Sequence, residues 1–83
     1  MSRPVKRSLT LQGHRTSVSL EEEFWRAFRA IARERGLGIN QLAVEIDGAR
    51  AEDTGLATAI RLFVLADLQA RLAGRKGMGS EGD

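Results

Sequence analysis

The hydrophobic period of the sequence changes at Leu20, and this change constrains the fold more than any other feature. Four apolar residues up to that point alternate with polar ones, at Leu9, Leu11, Val18 and Leu20. Alternation of this kind is typical of strands with one buried face. Beyond it, Phe24, Phe28 and Ile31 follow the spacing of four and three that is typical of an amphipathic helix. The sequence therefore predicts a strand that leads directly into a helix.

Gly13 and His14 interrupt the alternation and suit a two-residue type II′ hairpin turn. In that register Leu9 lies opposite Val18, and Leu11 lies opposite Thr16. The polar outer face would then consist of Ser8, Thr10, Gln12, Arg15, Ser17 and Ser19. A single strand over residues 15–20, preceded by a flexible arm, is the alternative that the sequence leaves open.

Three helices are predicted after the strands. Ser19 and Glu22 have the spacing of a capping box at the start of the first helix, and Gly36 followed by Leu37 suits a Schellman stop at its end. A second helix is predicted from Gly38 to about residue 48. A third helix, capped by residue 53 or 54, is predicted to end near residue 73.

These elements predict a mainly α fold with a short N-terminal β ribbon or hairpin and an additional long C-terminal helix. We expect one domain over residues 5–73, a flexible N-terminus over residues 1–4 and a disordered, glycine-rich tail over residues 74–83. A chain of 83 residues buries little apolar surface alone, and the third helix is apolar on more than one side. We therefore expect a homodimer or larger homo-oligomer. Its predicted core is Val18, Leu20, Phe24, Phe28, Ile31, Leu42, Ile60, Phe63 and Val64.

Positive charge is concentrated at the start of the chain. The first twenty residues contain four basic residues and no acidic ones, at Arg3, Lys6, Arg7 and Arg15. Such a segment suits a polyanion, and Lys6 and Arg7 can neutralise DNA phosphates without reading sequence. The alternative is a solvated N-terminal segment.

Several function classes find no support in the sequence. The chain has no cysteine and a single histidine, His14, so we expect neither a metal site nor a cofactor. No enzyme motif is present. The longest apolar run is far too short to cross a membrane, and the composition fits a cytoplasmic protein.

Two stretches, T-S-V-S-L-E-E-E-F-W at residues 16–25 and R-G-L-G-I-N-Q-L at residues 35–42, resemble the Arc/MetJ-type ribbon-helix-helix superfamily. The N-terminal run G-H-R-T-S-V-S-L and the later A-T-A-I-R-L-F-V-L extend the resemblance to a bacterial subgroup of predicted DNA-binding proteins. The resemblance implies that strands from two subunits form a ribbon that enters the major groove of duplex DNA.

The same resemblance assigns roles to individual residues. It implies that Arg15, Ser17 and Ser19 contact bases, as the outward side chains of the ribbon. It also implies that the start of the second helix, at Gly38, Ile39 and Asn40, contacts a phosphate. The implied function is transcriptional regulation.

The additional strand and the third helix depart from the minimal family pattern. The strand extends the ribbon or covers the edge through which a partner subunit pairs, and the sequence does not decide between the two. An oligomeric module that binds a protein or a small ligand such as a nucleotide, without sequence-specific DNA binding, is therefore the alternative function. A helix-turn-helix fold is the structural alternative.

Overall fold

The structure is a computed structural model that describes the backbone of residues 2–79 and the side chains of residues 2–74. Two antiparallel strands, β1 (Val5–Leu11) and β2 (His14–Leu20), precede three helices. The helices are α1 (Glu22–Glu34), α2 (Ile39–Ala49) and α3 (Leu56–Gly79). The predicted fold class is confirmed, and residues 5–11 form a second strand rather than a flexible arm.

The hairpin turn differs from the predicted one. Its two central residues are Gln12 and Gly13, with φ angles of 51° and 85°, so the turn is of type I′ and not type II′. Leu9 consequently lies opposite Thr16, and Val18 lies opposite Arg7. Gly13 takes the second central position of this turn, where a positive φ has no steric cost for glycine, and Gln12 takes the first. The predicted cross-strand partners were wrong, but each strand keeps its predicted buried face.

The inner face of the hairpin forms part of one hydrophobic core. Leu9, Val18 and Leu20 are buried beside Phe28 of α1 and Leu42 of α2. The rest of the buried core is Ile31, Ala32, Ala43, Ile46, Ala59, Ile60 and Val64. Most of the residues predicted to form an oligomer core are thus buried inside one chain, while Phe24 and Phe63 are partly buried against it.

The start of α1 is capped by a residue distant in sequence. The predicted capping box at Ser19 is wrong, because β2 continues through the fully buried Leu20 and the helix begins only at Glu22. The backbone N–H of Glu22 instead donates to Ser2 Oγ at 3.0 Å. Ser2 Oγ donates in turn to Glu23 at 2.8 Å. Ser2, which lies in the segment predicted to be flexible, is thereby held against α1.

The end of α1 forms the predicted Schellman motif. Leu37 N–H donates to the carbonyl of Ala32 at 2.9 Å, and Gly36 N–H donates to that of Arg33 at 3.1 Å. Gly36 has a φ of 70°, in the left-handed region that glycine adopts without steric cost. This prediction is confirmed, and the motif sets the tight turn from α1 into α2.

Ion pairs join α3 to α1. Arg71 bonds to Glu34 and, at 2.6 Å, to Asp67, while Arg35 bonds to Asp67 at 3.2 Å. Arg35 also lies over the ring of Phe63, 5.0 Å from its centroid. These contacts fix the angle at which α3 crosses α1.

Helix α3 extends beyond its predicted end near residue 73, to Gly79. The predicted disordered tail therefore overlaps this helix over residues 74–79, and residues 80–83 lie outside the described part of the chain. The outer side of α3 carries four exposed leucines, Leu62, Leu65, Leu68 and Leu72. Within residues 2–79, no helix has the length and apolarity needed to cross a membrane.

We predict opposite effects on stability for two glycine-to-alanine substitutions. Gly36→Ala should lower the free energy of unfolding by about 1–2 kcal/mol, because alanine at a positive φ is strained. Gly48→Ala is the control, since Gly48 lies within α2 with open space at its Cβ position, and it should raise stability by about 0.5–1 kcal/mol. Urea denaturation followed by circular dichroism measures both. Equal effects would contradict the Schellman assignment.

We also predict that stability falls as the pH drops below about 4.5, the ordinary pKa of a glutamate. The hydrogen bond from Arg71 lowers the pKa of Glu34. Burial opposes the shift at Asp67, but hydrogen bonds from Arg71 and Arg35 outweigh it and lower its pKa as well. These carboxyls bind protons less readily in the folded state than in the unfolded state. Their full contribution to stability is therefore present at pH values above the pKa of the unfolded state, and it is lost as the pH falls through the lowered pKa of the folded state.

Arg71→Gln should reduce this dependence of stability on acid. The control is Arg50→Gln, because Arg50 pairs with Asp47 in α2, and it should leave the contribution of the α1–α3 ion pairs to stability unchanged. Denaturation midpoints between pH 3 and pH 7 compare the two variants with the unaltered chain. An unchanged pH profile in Arg71→Gln would argue against a stabilising α1–α3 network.

Candidate nucleic-acid interface

The outer face of the hairpin is polar along its whole length. The side chains on this face are all exposed: Lys6, Ser8, Thr10, Arg15, Ser17 and Ser19. They form three cross-strand pairs, in which Lys6 lies opposite Ser19, Ser8 opposite Ser17 and Thr10 opposite Arg15. Gln12, predicted to be on this face, is in the turn instead. We call these six residues the outer face.

The charged residues of the outer face are all basic. Residues 2–20 contain no acid, and the nearest carboxylates in sequence are those of Glu21, Glu22 and Glu23. Hydrogen bonds lower the pKa of each: the largest contribution comes from Arg61 at Glu21, from Arg26 at Glu22, and from Ser2 at Glu23. These acids are therefore ionised and occupied by their own partners, while Lys6 and Arg15 have no carboxylate partner within residues 2–74.

Arg7 lies on the opposite side of the hairpin from Lys6. Its guanidinium bonds to Glu22 at 2.6 Å and lies 5.3 Å from the centroid of the Trp25 ring. Its Nε atom is buried without a hydrogen-bond partner. Arg7 thus packs between the hairpin and α1, and the structure does not place it with the other predicted phosphate-contacting residues.

Side chains from the helices reach the two edges of the hairpin. Thr10 N–H, on the edge of β1, donates to Asn40 Oδ1 at 2.9 Å. On the edge of β2, the carbonyl of Ser19 accepts from Arg61 at 3.0 Å. Backbone groups that point away from the partner strand alternate along each strand, so those of Arg15 and Ser17 share the outward side of β2 with Ser19. No bond from residues 2–74 occupies them.

The start of α2 lies beside β1, held there by the bond between Asn40 and Thr10. Gly38 N–H donates to Gln41 Oε1 at 2.8 Å, and Leu42 N–H donates to the carbonyl of Gly38. The first turn of α2 contains no acidic residue, so no nearby side-chain charge offsets the positive end of its dipole. The structure therefore brings Gly38, Ile39 and Asn40 close to the hairpin edge.

Arg61 is the contact residue that sequence reasoning did not identify. It bonds to Glu21 at 2.9 Å and to the carbonyl of Ser19, and its guanidinium lies 5.9 Å from the centroid of the Phe24 ring. The sequence did contain one signal for this role: Arg61 lies within an otherwise apolar run of α3, where a charged side chain needs a hydrogen-bonding or charged partner. The identity of that partner depends on how α3 crosses β2.

His14 is exposed at the start of β2 beside the turn. In the part of the chain that the structure describes, no group of three or more histidine, cysteine, aspartate or glutamate residues is placed to hold a metal ion.

Comparison with known families gives one match. The family model described as "ribbon-helix-helix domain" matches residues 4–68, from the N-terminal strand through most of the described α3 side chains. No curated protein and no solved structure matches the chain.

Proposed function

Because the chain belongs to the ribbon-helix-helix domain family, we propose that it is a homo-oligomeric DNA-binding protein that regulates transcription. Members of this family typically bind DNA, self-associate as dimers and lack enzymatic activity. The observation that carries the proposal is the outer face, which combines Lys6 and Arg15 with hydroxyl side chains and excludes acids.

We propose that the β2 part of the outer face enters the major groove, which is wide enough to admit a two-stranded ribbon, and that the β2 strand of a second chain completes this ribbon. Arg15 would donate two parallel hydrogen bonds to a guanine, while Ser17 and Ser19 would donate to or accept from base edges. Ser19 is free for this role because it does not cap α1. The buried Leu9 and Val18 support the ribbon from behind and keep these side chains directed outward.

Phosphate contacts would come from Lys6 and from the first turn of α2. Gly38, Ile39 and Asn40 lie next to the edge of β1, where a DNA strand that borders the groove would pass. Free backbone N–H groups at a helix start bind phosphate oxygens well, and since Gly38 N–H already donates to Gln41 Oε1, those of Ile39 and Asn40 would be the donors. Arg7 is not part of this proposed set, because Glu22 and Trp25 already occupy its guanidinium.

For self-association, we propose that the β2 strands of two chains pair with each other through their free edges. The unpaired backbone groups of Arg15 and Ser17 support this arrangement. The resulting four-stranded sheet would place both β2 strands at its centre and both β1 strands outside. The outer faces of the two chains would then form one continuous polar surface.

A second function, an interaction or ligand-binding module, is favoured by a different surface. The exposed leucines of α3 are unusual for a helix whose other side is already buried. A largely apolar depression of about 390 Å³ adjoins them, lined in part by Ile46, Ala59, Leu62 and Phe63. Identification of a protein or nucleotide that co-purifies with the chain would support this function over the first.

We predict that DNA binding depends on Arg15. Duplexes enriched from a random pool should bind the unaltered chain with strong salt dependence, and Arg15→Ala should cost about 1–3 kcal/mol of discrimination between the best and the weakest duplexes. Arg50→Ala removes the same charge at the end of α2 and should have little effect. Fluorescence anisotropy across salt concentrations measures both variants. Absence of binding to any duplex at low salt would overturn the proposed function.

We further predict that a proline in β2 abolishes self-association while one in β1 does not. Ser17→Pro removes an outward N–H from the proposed interface, and Ser8→Pro removes the equivalent group directly opposite, on the other edge of the hairpin. Neither substitution removes a hydrogen bond between β1 and β2. Sedimentation equilibrium should give a monomer for Ser17→Pro and a dimer for Ser8→Pro, with circular dichroism confirming that both fold.

Leu65→Glu tests the competing interface on α3. If Ser17→Pro remains dimeric and Leu65→Glu becomes monomeric, the chains associate through α3 and the proposed β2 pairing is wrong. A monomeric unaltered chain would contradict both arrangements.

A further inference from the structure

Three arginines lie on one side of α1, facing the start of α2. Arg26, Arg29 and Arg33 are separated by three and four residues, so they are neighbours on the helix surface. They line a depression of about 560 Å³ together with Ala30, Ala32, Leu37, Gly38 and Ile39. No acidic side chain contributes to its lining.

The charge in this depression is only partly compensated. Arg26 bonds to Glu22 at 2.8 Å, and that carboxylate also bonds to Arg7. Arg29 and Arg33 are exposed and form no ion pair with any acid in residues 2–74. Like charges at these helical spacings repel each other, so the cluster destabilises the free helix slightly. A bound anion would relieve that repulsion.

The chemistry of the lining selects the kind of anion. Guanidinium groups offer planar, paired N–H donors that match the oxygen atoms of a phosphate, and they stay charged at any physiological pH. The opposite wall is the start of α2, whose first turn carries no acid. Arginine side chains from α1 and the start of α2 therefore line one open space, although Gly38 N–H is already bonded to Gln41 Oε1.

From the three arginines and the cavity between them, we propose that this depression binds a phosphate group. Arg29 and Arg33 are its principal ligands, and Arg26 stands at its rim beside Glu22. Two kinds of ligand carry a phosphate group of this kind. A backbone phosphate of DNA flanking the ribbon is the source that rests on the proposed function. A free small phosphate does not depend on that function. The site extends the contact surface from the hairpin edge along α1.

The first experiment uses duplex DNA. Arg29→Gln and Arg33→Gln should each weaken binding and reduce the slope of log K against log salt by about 0.9, the loss of one phosphate contact. Preference among duplexes should be unchanged, because phosphate contacts carry no sequence information. Arg50→Gln, at the opposite end of α2 from Gly38, is the control of equal charge and should leave the slope unchanged.

The second experiment uses inorganic phosphate at constant ionic strength. Titration into the ¹⁵N-labelled chain should shift the amide resonances of Ile39 and the neighbouring residues until saturation, and Arg33→Gln should remove that response. An effect in the DNA experiment alone identifies DNA as the source, and saturation by phosphate alone identifies a small ligand. Effects in both support a site that accepts either source.

The inference and the proposed function fail in different ways. If the unaltered chain binds no duplex, the proposed function is wrong and the phosphate titration alone decides the inference. The second outcome overturns the inference alone: Arg29→Gln and Arg33→Gln bind DNA with the same affinity and salt dependence as Arg50→Gln, and phosphate produces no saturable shift of the amide resonances. The depression is then not a phosphate site, even where Arg15-dependent DNA binding persists.

Discussion

The burial of one face of a two-stranded hairpin against three helices is the interaction on which the rest of the structure depends. Leu9, Val18 and Leu20 pack beside Phe28 and Leu42, so the side chains that alternate with them along the strands are directed to the opposite side. A two-stranded hairpin is marginally stable alone in water. Its attachment to the helical core therefore turns a weak element into a rigid support for a row of polar side chains.

The order of the elements and the identity of the buried faces were predictable from the sequence. Period-two alternation located both strands, and the Gly36-Leu37 stop located the end of α1, because these signals depend on residues close together in the chain. The six-residue outer face was also largely predictable for the same reason. Gln12 was wrongly included, because it is a central residue of the turn, and Lys6 was not part of the predicted face.

The details that failed depend on contacts between distant residues. Nothing near Glu22 in sequence indicates that Ser2 caps α1, nor that Arg7 turns inward to bond with Glu22 beside Trp25. The depression beside the three arginines of α1 was missed for a related reason. Helical spacing places Arg26, Arg29 and Arg33 together, but the direction of the α1–α2 turn decides that they face Gly38 and Ile39.

The hairpin turn between β1 and β2 would have a kinetic consequence for the proposed oligomeric DNA-binding function. Where a two-stranded ribbon is assembled from separate chains, no reading surface exists until the subunits have met. Here Gln12 and Gly13 tether the second strand to the first, so each folded chain already carries the six-residue outer face. Under the proposed function, one chain would contact duplex DNA before it meets a twin, and two chains would meet on the nucleic acid at concentrations too low for them to meet in solution.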